Sequence, residues 1–191
     1  MSSRLSENII KSSIEVKESL LNDSETLDKI DQVAKVIAES LDLNKNLYIC
    51  GNGGSASDAE HIAAELSGRF YKDRPALKCH ALNSNNAYLT AVSNDYGYEN
   101  IYSRLVEGWM TEGDILIGIS TSGNSMNIVN AIKTAKNKNI FTVGLLGRNN
   151  GLIGDLANVS INIDSTVTPR IQESHILVGH IICELIESSL F

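Results

Sequence analysis

Twice in this chain a short apolar run ends in a knot of glycines or hydroxyls and passes at once into a helical pattern. The first instance is Asn46-Leu-Tyr-Ile-Cys50, then Gly51-Asn-Gly-Gly-Ser55, then a helical stretch from Ala56 to Leu66. The second is Asp114-Ile-Leu-Ile-Gly-Ile119, then Ser120-Thr-Ser-Gly-Asn-Ser125, then a helical stretch over Ser125 to Asn137. Further apolar runs cover Lys78 to Leu82, Phe141 to Leu146 and Val159 to Ile163, with another helical stretch from Tyr98 to Met110. Strands that alternate with helices cannot pair as hairpins, so the spacing predicts an α/β fold: a doubly wound, parallel five-stranded sheet flanked by helices.

Helices also bracket that core. Two helical patterns occupy residues 1–42, the second carrying Leu27, Ile30, Ala34, Ile37 and Leu41 on one face after a break at Asn22-Asp23-Ser24, which predicts an N-terminal helical hairpin. Its apolar face must cover something, either the sheet of its own subunit or a partner's helices. The last twenty residues, Gln172 to Phe191, read as one long C-terminal helix that begins just after Pro169.

A length of 191 residues without a linker or low-complexity tract predicts a single domain over residues 1–191. No apolar run approaches the roughly 20 residues of a membrane span. The N-terminal Met1-Ser-Ser-Arg-Leu-Ser-Glu-Asn has no cationic region ahead of an apolar block, so the expected location is the cytoplasm and no membrane partner is expected. Cys50, Cys79 and Cys183 are widely spaced and odd in number, which fits reduced core thiols. A net charge of -7 disfavours nucleic acid as a partner. It does not exclude a small phosphate, which neutral N–H groups and hydroxyls can hold.

The glycine turn lets the backbone approach a ligand, and the helix behind it offers free N–H groups to an anion; a plain tight turn explains it equally well. It is neither a Walker loop nor a dinucleotide fingerprint. The second turn says more. One hydroxyl suffices to cap a helix, whereas Ser120, Thr121, Ser122 and Ser125 place four at the carboxyl end of a parallel strand, where phosphate ligands of such sheets bind. On the helix after the glycine turn, His61 and Glu65 share a face and could hold a divalent metal or simply bond to each other. In the C-terminal helix, His180 lies in the apolar stretch Val178-Gly-His-Ile-Ile-Cys183, as a core histidine, a ligand or a proton-transfer group. Helix spacing pairs it more readily with Glu173, seven residues earlier, than with Gln172, and the sequence does not choose.

Four segments, Gly51-Asn-Gly-Gly-Ser-Ala-Ser-Asp-Ala-Glu-His61-Ile-Ala-Ala-Glu65-Leu-Ser-Gly-Arg69, Ser93-Asn-Asp95-Tyr-Gly, Gly118-Ile-Ser-Thr-Ser-Gly-Asn-Ser125 and Arg170-Ile-Gln-Glu, resemble the phosphoheptose isomerases of the SIS family in order and spacing over nearly the whole chain. The resemblance implies an SIS-type fold and a homotetramer with active sites at subunit interfaces. It implies an aldose-ketose isomerase that interconverts sedoheptulose 7-phosphate and D-glycero-D-manno-heptose 7-phosphate, supplying heptose for lipopolysaccharide or capsule. By position, Ser55, Ser120, Thr121, Ser122 and Ser125 would hold the phosphate, while Asn52, Gly53, Gly54, Asn94, Asp95, Glu65 and Gln172 would contact the substrate. One zinc per subunit would sit on His61, Glu65, Gln172 and His180, so the resemblance selects Gln172 over Glu173. Proton transfer between C1 and C2 through an enediol would use Glu65 as base and His180 as acid partner. A carboxylate cannot be tightly coordinated and freely basic through the same oxygen, so Glu65 would loosen or use its second one.

The chain departs from its relatives at Asn83-Ser-Asn-Asn-Ala-Tyr88, where many carry a Thr/Asp/Ser-rich segment, and carries one of several variants at Ala56-Ser57. Two other readings remain: a non-catalytic SIS regulator that binds a replication initiator, which would lack part of the metal set, and an isomerase of another sugar phosphate.

Overall fold

In a computed structural model describing residues 4–191, the alternating pattern becomes five strands and eight α-helices. The first three residues of the segment expected to carry no export signal lie outside the described residues. The strands are β1 (Leu47–Gly51), β2 (Cys79–Ala81), β3 (Ile115–Ser120), β4 (Phe141–Leu146) and β5 (Val159–Asn162). They form one sheet in the order β2-β1-β3-β4-β5, and every pair is parallel. All five lie within a residue or so of the apolar runs that predict them.

The N-terminal hairpin is α1 (Leu5–Leu21) and α2 (Ser24–Asp42), with Asp23 capping α2 by accepting the Thr26 N–H at 3.1 Å. The glycine turn leads into α3 (Gly54–Ser67), and the hydroxyl turn into α6 (Met126–Asn137). The stretch expected to be helical from Tyr98 is a 3-10 turn over Tyr98–Asn100 that passes into α5 (Ile101–Trp109). Two helices are not announced by apolar patterning: α4 (Asn86–Tyr96), which buries only Val92, and the short α7 (Gly151–Leu156). The C-terminal helix α8 (Thr168–Leu190) corrects the expected start. Pro169 sits inside its first turn, where a missing N–H is harmless, and so the helix opens before Gln172. Among the described residues, no helix is long and apolar enough to cross a membrane.

Period-two alternation divides the core between the two faces of the sheet. Leu47, Ile49, Ile115, Ile117, Ile119, Val143, Leu145 and Ile161 pack against α2, α3 and α8. Tyr48, Cys50, Leu116 and Leu146 pack against α5 and α6. All three cysteines are buried and free. The stripe Ile30, Ala34, Ile37 and Leu41 of α2 is spent on this core, with Leu27 partly buried against it. By contrast α1 buries only Leu20, leaving Leu5, Ile9, Ile10 and Ile14 exposed.

Asp114 fixes the start of the central strand pair. It is 1% exposed and accepts the Asn46 N–H at 2.8 Å, the Asn46 amide at 2.9 Å and the Thr111 N–H at 2.7 Å. Burial alone would raise its carboxyl, yet these donors hold it below the ordinary carboxylate range.

At the other end of the sheet, His175 of α8 is fully buried and its Nε2 lies 3.0 Å from the Leu146 carbonyl at the end of β4. Burial disfavours the imidazolium and pushes its pKa down to about 4, against the partial support of that carbonyl. The folded protein therefore stays neutral at His175 while the unfolded chain takes up a proton below about pH 6.5. Stability is retained above that pH and declines as pH falls from about 6.5 towards 4. In urea titrations at pH 7.5 and 5.0, this group accounts for a loss of about 2 kcal/mol. The pH dependence of His175→Gln is shallower by that amount.

Candidate active site at the ends of strands β1 and β3

From β1 the chain adds β2 on one side, and from β3 it adds β4 and β5 on the other. The helices that leave β1 and β3 consequently lie on opposite faces, α3 with α2 and α8, and α6 with α5. Their two loops part and open a crevice at the strand ends, the place where open α/β sheets bind ligands.

The first loop is compact because glycine allows it. A Cβ on Gly51 would lie 2.3 Å from the Ser55 carbonyl oxygen, and Gly53 has φ +56°. The Tyr102 hydroxyl donates to the Gly51 carbonyl from below. Ser55 is buried, 4% exposed, in the first turn of α3. Asn52 is held by its side chain: Nδ2 donates to Asn127 Oδ1 at 3.0 Å, and Oδ1 accepts from Asn127 Nδ2 and from the Tyr98 hydroxyl, each at 2.8 Å.

In the second loop Ser120, Ser122 and Ser125 converge. Ser120 Oγ lies 3.2 Å from Ser125 Oγ and 3.4 Å from Ser122 Oγ, and accepts the Gly123 N–H at 3.2 Å. Ser125 occupies the N-cap of α6, yet its side chain makes no capping hydrogen bond. Its hydroxyl is thus free for the cradle, where a helix start supplies anion-favouring N–H groups. Thr121 lies to one side, lining with Ser122 a cavity of about 220 Å³ that includes Arg148, Ser165 and Thr168 at the start of α8.

His61, Glu65 and His180 come together where α3 and α8 run side by side. One ligand atom from each lies within 4.8 Å of the others. His61 Nε2 is 3.1 Å from Glu65 Oε1, and the two imidazoles meet edge to face at 5.0 Å. His180 Nε2 is buried without a hydrogen-bond partner. A buried ring nitrogen with no partner is costly, and two imidazoles with a carboxylate make a donor set suited to zinc. The residues present therefore fit a divalent metal.

Gln172 stands nearer the crevice, its amide against the first turn of α3; a Cβ on Gly54 would lie 2.5 Å from Gln172 Nε2. No hydrogen bond joins it to the other three among the described residues. Glu173, the partner that helix spacing favours for His180, faces α1 instead. It accepts the Ser13 hydroxyl at 2.6 Å and the Arg170 guanidinium at 2.5 Å. Asn94 and Asp95 lie exposed at the end of α4, with the Asn94 amide donating to Asp95 at 2.8 Å.

In the divergent segment from Asn83 to Tyr88, three residues serve the scaffold, while Ser84 to Ala87 are exposed. Asn83 donates to Glu60 Oε1 at 2.9 Å and to the Ala56 carbonyl at 3.2 Å, Asn85 caps α4 by accepting the Tyr88 N–H, and the Tyr88 hydroxyl donates to the Ile101 carbonyl.

Four residues that the sequence does not single out also support the site. Asn127 and Tyr98 hold Asn52, while Arg74 and Glu187 hold α3. A polar residue on the buried stripe of α6 is the signal for Asn127; Tyr98 follows the Asn94-Asp95 segment by three residues. The Arg74 guanidinium donates to Glu187 at 2.9 Å, to the Leu66 carbonyl at 2.8 Å and to the Glu65 carbonyl at 3.0 Å. Glu187 also accepts the N–H groups of Phe70, Tyr71 and Lys72. Burial would raise its carboxyl, but these donors together hold it below the ordinary range. Both side chains are nearly inaccessible, so removal of one leaves the other charged and buried. Arg74→Met should lower unfolding free energy by about 3–5 kcal/mol, and Arg74→Lys should recover only part of it, because an ammonium cannot span the carboxylate and two carbonyls. Urea denaturation measures both.

The SIS domain family matches residues 12–147. Among curated relatives, a phosphoheptose isomerase of Sulfurimonas denitrificans is 50% identical over 182 residues, spanning 95% of this chain and 93% of that protein. A phosphoheptose isomerase of Clostridium acetobutylicum is 47% identical with the same coverage. Of solved structures, the phosphoheptose isomerase of Neisseria gonorrhoeae superposes with a TM-score of 0.89 at 36% identity, covering 97% of this chain and all (100%) of that one. That of Francisella tularensis gives 0.91 at 32% identity, covering 95% and 96%.

Proposed function

This chain belongs to the SIS domain family, and from its standing as a phosphoheptose isomerase we propose how its own residues divide the work. The reaction is an aldose-ketose isomerisation of sedoheptulose 7-phosphate to D-glycero-D-manno-heptose 7-phosphate. The observation that carries the proposed division is the meeting of His61, Glu65 and His180 within 4.8 Å on two helices, one of which starts at the glycine loop of the crevice.

Ser120, Ser122 and Ser125, with Ser55 and Thr121, hold the phosphate through hydroxyls and the helix-start N–H groups. Asn52, Gly53, Gly54, Asn94, Asp95 and Gln172 contact the sugar chain. With its far end fixed, the sugar presents C1 and C2 to Glu65. The carboxylate takes a proton from C1 of the ketose and returns it to C2, which yields the aldose by way of an enediol. Glu65 Oε1 lies 3.1 Å from His61 Nε2, and with that oxygen turned to the metal side, Oε2 would serve as the basic oxygen. His180 moves the accompanying proton between the C1 and C2 oxygens. His61, Glu65, Gln172 and His180 would hold one zinc per subunit, and when bound it would supply Lewis-acid polarisation at those oxygens.

The exposed Leu5, Ile9, Ile10 and Ile14 face of α1 supports self-association, proposed as a homotetramer with active sites at the interfaces. The product would feed lipopolysaccharide or capsule synthesis, in the cytoplasm where phosphorylated sugars are made. All three titratable members of the metal set are present, which argues against a non-catalytic regulator. The scaffold contacts of Asn83, Asn85 and Tyr88 weigh against reading that segment as the mark of another sugar phosphate.

Purified protein supplied with sedoheptulose 7-phosphate, with and without zinc, tests the reading: aldose forms, and an absence of product in both conditions would sink it. Glu65→Gln lowers kcat by about 10²–10⁴-fold while phosphate-ester binding remains measurable. Ser120→Ala combined with Ser122→Ala raises KM instead. Near-normal kcat in Glu65→Gln would rule out its role as base.

A further inference from the structure

Asn127 is 3% exposed in the first turn of α6, and both ends of its side-chain amide are hydrogen-bonded. Its Oδ1 accepts the N–H of Ile128 at 3.0 Å. A main-chain N–H can only donate, so this contact fixes which end of the amide is oxygen. The other end, Nδ2, must then donate to Asn52 Oδ1 at 2.8 Å, and Asn52 Nδ2 returns a bond to Asn127 Oδ1 at 3.0 Å. The Tyr98 hydroxyl donates to the same Asn52 Oδ1 at 2.8 Å. Both lone pairs of Asn52 Oδ1 are now filled. One N–H is left on Asn52, and no acceptor for it lies among the described residues.

We propose that Asn127 is a positioning residue for the isomerisation, locking the Asn52 amide so that it offers the substrate a donor and never an acceptor. The inference rests on the proposed contact between Asn52 and the sugar. Its chemical point is the charge that gathers on a substrate oxygen as the C1 proton leaves. A fixed N–H stabilises that oxygen, whereas an amide free to flip would present its carbonyl half of the time and repel it. The polarity originates in the α6 backbone and passes through two amides to the crevice. The same pair of bonds also ties the two loops together across the gap between β1 and β3.

Asn127→Asp tests this with minimal change of shape. The carboxylate still accepts from Ile128 but has no N–H for Asn52 Oδ1, so in either orientation of the Asn52 amide one oxygen faces a carboxylate oxygen and the lock on its polarity is lost. Tyr98→Phe is the second probe, at an exposed position where folding is not at risk; it removes one of the two donors. kcat and KM are measured for both, for Asn52→Ala and for the two double variants. The expected result is a fall in kcat of about 10²-fold for Asn127→Asp and a smaller one for Tyr98→Phe, with KM within about twofold for Tyr98→Phe, which adds no charge beside the hydroxyl cradle. Neither change should add to Asn52→Ala, since both act through that amide. Losses that multiply in the double variants would overturn the inference and leave Asn52 in place. Wild-type kcat in Asn52→Ala would overturn the inference together with the Asn52 contact, while the isomerase reading would still stand on Glu65→Gln.

Discussion

Between β1 and β3 the chain reverses the direction in which it adds strands, and the loops leaving those two strands turn to opposite faces of the sheet. At the starts of α3 and α6 the N–H groups of Ser55, Ala56 and Ile128 are taken by nearby carbonyls, and the earlier ones are left for the crevice between the two loops. Short residues line it because only they allow the loops to stay tight: Gly51 beneath the Ser55 carbonyl, Ser120 against Ser125. An anion held there would need no cationic side chain, so a phosphate ligand is compatible with a net charge of -7. The Asn52–Asn127 amide pair spans the gap and sets the spacing of its two walls.

The meeting of His61, Glu65 and His180 depends on a second constraint, the parallel contact of α3 and α8. Gly54 faces Gln172, Ile62 faces Gly179, and His61 meets His180, so the two helices stay in step over several turns. Gly179 permits the approach, since a Cβ there would lie 2.5 Å from Ile62 Cδ1. At the far end the buried Arg74–Glu187 pair closes the contact and grips the Glu65 carbonyl. Side chains on a helix lean towards its N-terminus. His61, Glu65 and His180 accordingly lie between the crevice and the clamp, with the Phe70 ring 5.9 Å from that of His180.

Much of this was legible in the sequence, and the gaps have physical causes. The central strands stood out because both faces are buried and their apolar runs are continuous. Helix α4 did not, because it buries one residue and is held by Asn85 and Tyr88 side chains instead. The i,i+4 pairing of His61 and Glu65 follows from one helix alone. The choice between Gln172 and Glu173 does not, since it depends on where α1 lies. Ser13 and Arg170 capture Glu173 through contacts that no local pattern reveals. Asn127 has the same character: it reads as one polar residue in an apolar stripe until Asn52 arrives from 75 positions away. The N-terminal hairpin divides in the same manner, with the stripe of α2 committed to the core and that of α1 left uncovered.

The central claim is that a single carboxylate shuttles a proton between C1 and C2 of a sugar held by its phosphate. Isomerisation of sedoheptulose 7-phosphate in deuterium oxide tests it most directly, with the aldose examined by NMR before equilibrium. A proton carried on Glu65, partly exposed at the crevice, exchanges with solvent, so deuterium should appear at C2 of the aldose. Turnover with only protium at C2 of the aldose and at C1 of the recovered ketose would contradict a proton carried on a solvent-exchanging carboxylate, and is the pattern that direct hydride transfer gives.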